Sequence, residues 1–502
     1  MGEGQVDAGY TTRDLQRYRH KTQRCLEALA QMLAGNSFAA GPACMGLELE
    51  LNLVDDNVDP AMANQTVLAH IDDPAFQTEL GQHNIEINVP PRPLANDEAL
   101  GLERELRAGL NTANDAAHAA GVGLVMIGIL PTLRPDHFDQ RWMSPNSRYA
   151  LLNRQILASR SEDLQLDMEG VPLAGGKPER LLCAADSVLP ESGCTSAQLH
   201  LQVGPDQFAA HWNAAQALAG AQVGVAANSP FLLGHALWHE TRIPLFEQAT
   251  DTRSPELRNQ GVRPRVWFGE RWIDSILDLY EENVRYFAPL LPQTQDEDPL
   301  AMLAAGAVPS LAELRLHNGT IWRWNRPVYD VKDGVPHLRI ENRVLPAGPT
   351  VIDVLANAAF YFGAMRGLAE MQPPVWHEMP FQAAQDNLYA AARMGMDAQL
   401  YWPDLGLVRP DELVLRKLLA LAHDGLRSYG MSDAARERYL TVIEQRCVAR
   451  RTGASWQRAT VQALADRGAD RPTALTTMLR SYMEHMHSNL PVHVWPLDSD
   501  TA

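Results

Sequence analysis

Four short stretches of the chain alternate apolar and polar residues. Leu47, Leu49, Leu51 and Leu53 alternate with Glu48, Glu50 and Asn52, and Ile85, Ile87 and Val89 with Asn84, Glu86 and Asn88. Ala197, Leu199, Leu201 and Val203 alternate with Ser196, Gln198, His200 and Gln202. Leu338, Ile340 and Val344 oppose His337, Arg339, Glu341 and Arg343. A period of two is that of a half-buried strand. A polar strand face is ordinarily the solvated face of an antiparallel sheet. These four faces carry no Lys, however, and two glutamates two residues apart repel each other unless a cation stands between them. Taken together, the faces suit metal ions and phosphates better than plain water.

Other segments have helical or loop character. Arg13 to Leu33 reads as a helix ended by Gly35-Asn36. Asp97 to Ala120 reads as a helix with Asp97 as N-cap and Gly121 at its end. Val122 to Leu130 is expected to be a strand buried on both faces. Pro131 to Tyr149, Asp163 to Cys194 and Phe231 to Val266 look loop-like, and a long loop is often a lid or a binding loop. A helix is expected through Ala209 to Val225. Ala312 to Arg343 is expected to hold two or three strands, including Glu313 to His317, with a hairpin turn at Asp333-Gly334. From about Thr350 onward the chain reads helical, through Val351 to Met371, Asp411 to Ser428 and Asp433 to Ala449. Strands first and helices last indicate an α+β fold. The expected division is a catalytic domain over residues 1–395 and a helical region over 396–502.

Composition narrows the function. The 502-residue chain has a formal net charge of −18, which argues against nucleic acid as the main partner. Arg148, Arg154 and Arg160 could still hold small anions. Cys25, Cys44, Cys183, Cys194 and Cys447 are widely spaced without a C-x-x-C pair. A zinc cage or disulfide framework is not expected, and a reducing cytosol is. Met1-Gly2-Glu3-Gly4-Gln5 lacks a signal peptide's pattern. The apolar runs at Gly121 to Leu130 and Ala214 to Trp238 are too short or too interrupted to span a bilayer, so no membrane partner is expected.

Glu48, Glu50, Glu79, Glu86, His200 and Glu341 make one candidate metal cluster. Five carboxylates can share a site only if divalent cations neutralise them or several are protonated. Oxygen-rich ligands favour Mg²⁺ or Mn²⁺ over zinc. Arg323, Arg326, Arg339 and Arg343 offer planar donors for phosphate oxygens. Metals plus arginines, without a Ser-His-Asp or catalytic Cys signature, point to phosphoryl transfer from a nucleotide such as ATP. No P-loop or protein-kinase motif is present, so the nucleotide site must be built on the sheet. Trp322 and Trp324 read as packing, and Met394 and Met396 as gap-filling core.

Gly46-Leu47-Glu48-Leu49-Glu50 resembles the G-x-E-x-E strand of the glutamate–cysteine ligase type 2 family. Five further stretches resemble the same family in the same order: Glu79 to Glu86, Thr195 to His200, Ala227 to Phe231, Ile321 to Pro327 and Leu338 to Arg343. The resemblance implies a glutamine-synthetase-like fold, whose antiparallel sheet forms a concave active-site funnel. It implies an ATP-dependent carboxylate–amine ligase that works through an acyl phosphate, with glutamate and cysteine as the natural amino-acid substrates. Glu48, His200 and Glu341 would hold the metal at the nucleotide phosphates, and Glu50, Glu79 and Glu86 the metals near the substrate carboxylate. Arg326 and Arg343 would contact phosphates and, with Glu86, form the catalytic set. Asn228, Arg242 and the Arg148-Tyr149 pair would contact substrate. Leu345-Pro346-Ala347-Gly348 stands where short members have an Asp. The extra C-terminal helices could be packing or an oligomer surface. The alternatives are a guanidino-kinase-like phosphotransferase and a non-catalytic nucleotide- or metal-binding homologue.

Overall fold

The four alternating stretches pair with one another. A computed structural model describes residues 10–35, 37–39 and 41–497; Met1 to Gln5 and Asn36, read above, lie outside them. The strands are β1 (Cys44–Val54), β2 (Phe76–Thr78), β3 (Asn84–Pro93), β4 (Gly123–Val125), β5 (Ala197–Gln202), β6 (Asn325–Lys332) and β7 (Val335–Asn342). They form one curled antiparallel sheet in the order β6-β7-β5-β1-β3-β2, with β4 on the far end of β1. β6 and β7 turn at Asp333 and Gly334, both with positive φ (51° and 77°), as the tight hairpin turn of the primed type requires.

Burial follows the alternation. Along β1, Leu47, Leu49, Leu51 and Leu53 are buried, while Glu48 and Glu50 stay partly open. Leu199, Leu201, Leu338 and Ile340 do the same on β5 and β7. These apolar faces join a continuous core with two long helices, Pro205–Ala226 and Val351–Glu370. The second is itself long and apolar enough to cross a membrane, which the survey of apolar runs overlooked. Here it is a core helix, with 89% of its apolar window buried.

Several elements differ from expectation. Glu313 to His317 is a turn of helix (Ala312–Asn318), not a strand. Its buried residues are Glu313, Leu314, His317 and Asn318, a helical spacing that a five-residue alternation could not reveal. The helix packs on the Thr12–Ala34 helix, where the Tyr18 hydroxyl donates to the Glu313 carbonyl at 2.8 Å. Asp163 to Cys194 contains a hairpin, Leu164–Glu169 with Arg180–Ala185. Val122 to Leu130 pairs only at Gly123–Val125, although Leu124 to Ile127 are all buried. The Ser147–Arg160 helix begins inside the expected Pro131 to Tyr149 loop, and Arg242–Ala249 is a helix within the expected loop that follows Phe231. Asp411 to Ser428 is helical throughout, as expected, and widens to a π-helical turn over Val414–Leu418. Asp97 does precede the Glu98–Ala119 helix, but its side chain makes no cap; it accepts from the Ser432 hydroxyl instead.

The residues after 395 belong to the same core. Arg446 and Asp353 form a buried ion pair at 2.8 Å. The Val351–Glu370 and Leu419–Ser428 helices cross where Gly363 meets Gly425, and a Cβ on Gly363 would overlap the Ala422 carbonyl oxygen. Backbone cannot yield there as a flexible side chain would. Gly363→Ala is therefore expected to destabilise the protein by about 3 kcal/mol, read as a lower midpoint in urea unfolding with an unchanged slope.

Glu103 ties the Glu98–Ala119 helix to the Asp433–Ala449 helix. It accepts from Arg438 at 2.7 and 2.6 Å and from the Tyr439 hydroxyl at 2.9 Å. Burial raises the proton affinity of this carboxyl, but those donors outweigh it and hold the group below its ordinary value. A depressed carboxyl stabilises the fold above its unfolded pKa and loses that contribution as pH falls through the folded one. The stability advantage of the native chain over Glu103→Gln should thus be full at pH 7 and shrink steadily below about pH 4.5, as measured by thermal melts across pH. An advantage that does not change between pH 7 and 3 would refute the pairing.

Candidate active site

The strand register places the polar faces side by side. Glu341 of β7 lies opposite both Arg326 of β6 and His200 of β5, and His200 opposite Gly46 of β1. Glu48 lies between Gln198 and Asn88, and Glu50 opposite Glu86, which faces Gln77 of β2. Arg339 is opposite Gln202. Glu48, Glu50, Glu86, His200, Arg326, Arg339 and Glu341 therefore share one face of one sheet, as the alternation required. A cavity of about 670 Å³ opens on this face, lined by Gly46, Glu48, Asn88, His200, His337 and Arg339 among others.

The charges on this face fall into three groups. At one side, Glu341 is clamped by Arg326, with three contacts of 3.0, 2.9 and 2.7 Å, and also pairs with Arg343. Burial alone would raise the Glu341 carboxyl, but the two guanidiniums hold it far below the ordinary range. In the centre, His200 Nε2 lies 2.9 Å from Glu48 Oε1. Arg339 Nε donates to His200 Nδ1 at 3.2 Å, which leaves Nε2 as the ring nitrogen nearest Glu48. Burial also works against the Glu48 charge, yet His200 brings this carboxyl below its usual value.

The third group is acidic. Glu50 accepts from the Ser196 amide at 2.8 Å and from the Ser196 hydroxyl and Gln198 amide at 2.9 Å. Glu86 accepts from Gln77 at 2.8 Å and Asn88 at 2.6 Å. Burial, then the neighbouring Glu86 and Glu191, push Glu50 up to about 8. Burial followed by Glu86 and Glu50 pushes Glu79 well above the ordinary range. Glu191, on the short turn Leu189–Gly193, is pushed up to about 7 by burial, against the pull of Arg343. The sequence reading missed Glu191, since nothing periodic marks a carboxylate on a turn.

Among the described residues no three His, Cys, Asp or Glu side chains gather closely enough to hold a metal ion. The one cluster anticipated from the sequence is thus a shared face, not a closed ligand cage. The oxygen donors at Glu50, Glu79 and Glu86 suit Mg²⁺ or Mn²⁺, and a cation would relieve the burial and the like-charge repulsion that raise Glu50 and Glu79.

Four expected ligand-contacting residues are placed elsewhere. Arg323 is fully buried on the short strand Trp322–Arg323, which pairs with Val266–Trp267 outside the curled sheet. It is bound to Glu282 at 3.0 Å and to Asn283, and lies 4.3 Å over the Trp267 ring. Arg242 is buried too, with its guanidinium spent on Glu240 at 3.1 Å and on the Arg343 and Val344 carbonyls. Asn228 is buried against the Ala347 carbonyl and the Tyr482 hydroxyl. Arg148 is on the exposed surface, whereas its neighbour Tyr149 donates to the Thr78 carbonyl at 3.1 Å, beside Glu79. Arg154 and Arg160 share the Arg148 helix, but Arg160 is buried with its guanidinium on the Asp251 carbonyl. Trp324 is buried as packing and Trp322 half-buried.

The family model of glutamate–cysteine ligase family 2 (GCS2) matches residues 44–477. The chain belongs to that family. Family 2 members are ligases that form carbon–nitrogen bonds, and this chain is an enzyme of the carboxylate–amine ligase class. Among curated protein sequences none matches it significantly. Its fold is similar to that of a glutamate–cysteine ligase from Francisella tularensis solved with AMP, with a TM-score of 0.54 and 14% identity over 90% of each chain. A bifunctional glutathione synthetase from Pasteurella multocida is similar with a TM-score of 0.50 and 10% identity, over 92% of this chain and 55% of that one. The family match begins with the first residue of β1 and runs past residue 395 into the C-terminal helices.

In this family 2 chain the arginine clamp can be weighed directly. Arg326→Ala leaves Glu341 with Arg343 alone, and is expected to cost about 2 kcal/mol in chemical unfolding. A cost indistinguishable from zero would mean that the clamp is not formed in solution.

Proposed function

We propose that the protein is an ATP-dependent carboxylate–amine ligase that activates an amino-acid carboxylate as an acyl phosphate, with glutamate as the acid and a small amine such as cysteine as acceptor. One observation carries this reading. The register sets carboxylates, an imidazole and three arginines on a single concave face beside a cavity large enough for a nucleotide.

Roles follow from position. Arg326 and Arg343 present guanidinium donors toward the shared face, where they would stabilise charge on transferring phosphoryl oxygens. Among the described residues Arg343 Nε is buried without a hydrogen-bond partner, which leaves a donor for an oxyanion. Arg339 orients His200, and through it Glu48. Glu50, Glu79 and Glu86 would hold a magnesium or manganese ion, which when bound neutralises phosphate charge and aids departure of the leaving group. The acid carboxylate would attack the terminal phosphorus, releasing ADP, and the amine would then displace phosphate from the acyl carbon. Tyr149 stands beside Glu79 at the substrate end.

The test is an ADP-release screen of acid and amine pairs with Mg²⁺ and Mn²⁺, followed by mass spectrometry of the product. A ligase releases phosphate only when the amine is present. A phosphotransferase releases none, and a non-catalytic protein forms no ADP in a single turnover. Glu48→Gln and Glu341→Gln should remain folded by circular dichroism and lose ~100-fold or more in turnover. Undiminished turnover in either variant would refute the site.

A further inference from the structure

Beyond Arg343 the concave face ends in a group of residues that the roles above do not use. Arg343 donates its backbone amide to the Trp324 carbonyl at 2.9 Å, so Trp324 stands across from it on the same face. Phe246 lies beside both, with the Arg343 guanidinium 6.0 Å from its ring and Trp324 at 5.7 Å. Trp322 meets the same phenyl ring edge-on at 6.3 Å. One residue further along the Arg242–Ala249 helix, Glu247 accepts from the Tyr389 hydroxyl at 2.6 Å and the Trp324 indole at 3.4 Å.

The charge of Glu247 is not balanced. Both its donors are neutral, and among the described residues it makes no ion pair. The nearby Arg253 is spent on Asp251, with contacts of 2.8 and 3.0 Å. Burial pushes the carboxyl up to about 7 although Tyr389 and Trp324 favour its charged form. Glu247, Trp322 and Tyr389 each keep part of their surface open to solvent. A half-buried carboxylate fixed by two donors, walled by aromatic rings and lacking a cation, is complementary to an ammonium ion.

We propose that Glu247, held by Tyr389 and Trp324, forms the subsite for the ammonium group of the acceptor amine. The proposal rests on the ligase reading above and adds the chemical class of the second substrate's recognition. It places the amine next to Arg343, at the opposite end of the face from the cavity lined by His337 and Asp330.

Glu247→Gln separates charge from structure, because the amide oxygen can still accept from Tyr389 and Trp324. The probes are glutamate with L-2-aminobutyrate as a primary amine, and glutamate with hydroxylamine as a small uncharged nucleophile. The ratio of kcat/KM for the amine to that for hydroxylamine is expected to drop at least tenfold in Glu247→Gln, mainly through KM for the amine. Glu247→Asp keeps the charge and should recover most of that ratio. An unchanged ratio in Glu247→Gln, or an equal loss in both variants, overturns the proposal. If the native chain releases no ADP with glutamate and hydroxylamine, it is the ligase reading that fails.

Discussion

One-sided burial of a curled sheet is the constraint on which the site depends. Once β1, β3, β5 and β7 each commit their odd or even side chains to a shared core, the remaining side chains have only one place to go. A slip of one residue in any strand would bury its glutamate or histidine and expose its leucines. Hydrophobic burial therefore holds the functional groups in place without any direct attraction between them.

The electrostatics on that face is a compromise between like and unlike charges. Glu341 and Glu48 are stabilised as anions by the arginines and the histidine beside them. Glu50, Glu79 and Glu191 have no such neighbours in sufficient number, and in the bare protein they hold protons more tightly. The face thus runs from a region already neutralised by protein cations to one that is short of positive charge. A substrate assembly with phosphates at one end and a cation at the other would complete both.

Much of this was legible in the residues. All four strands, the Asp333-Gly334 hairpin and the long helices are found where periodicity and end signals put them, because in each the apolar spacing repeats long enough to exclude the other period. Glu313 to His317 failed for the opposite reason: five residues fit both. The Leu164–Glu169 strand carries buried and exposed positions in strict alternation and was readable, but its irregular surroundings hid it. The shared face of Glu48, Glu86, His200 and Glu341 was legible through parity alone. Whether a side chain was already engaged was not. Arg242 and Arg323 have the right chemistry for anions, and only the fold reveals that Val344, Glu240, Glu282 and Asn283 have claimed it. Glu191 and Glu247 were invisible because a turn and a short helix bring them in from outside the sheet.

The Asn228 loop joins distant parts of the chain. Its side chain is held by the Ala347 carbonyl, by Tyr482 and by Gln457, and the Ser229 hydroxyl beside it accepts the Arg242 amide under β7. Of these partners, Tyr482 and Gln457 lie more than two hundred residues downstream in sequence. During synthesis on the ribosome the loop has nothing to close against until the last helices emerge. Competence to bind substrates would then arise late and all at once, and a nascent chain would carry an assembled sheet but an unfinished wall.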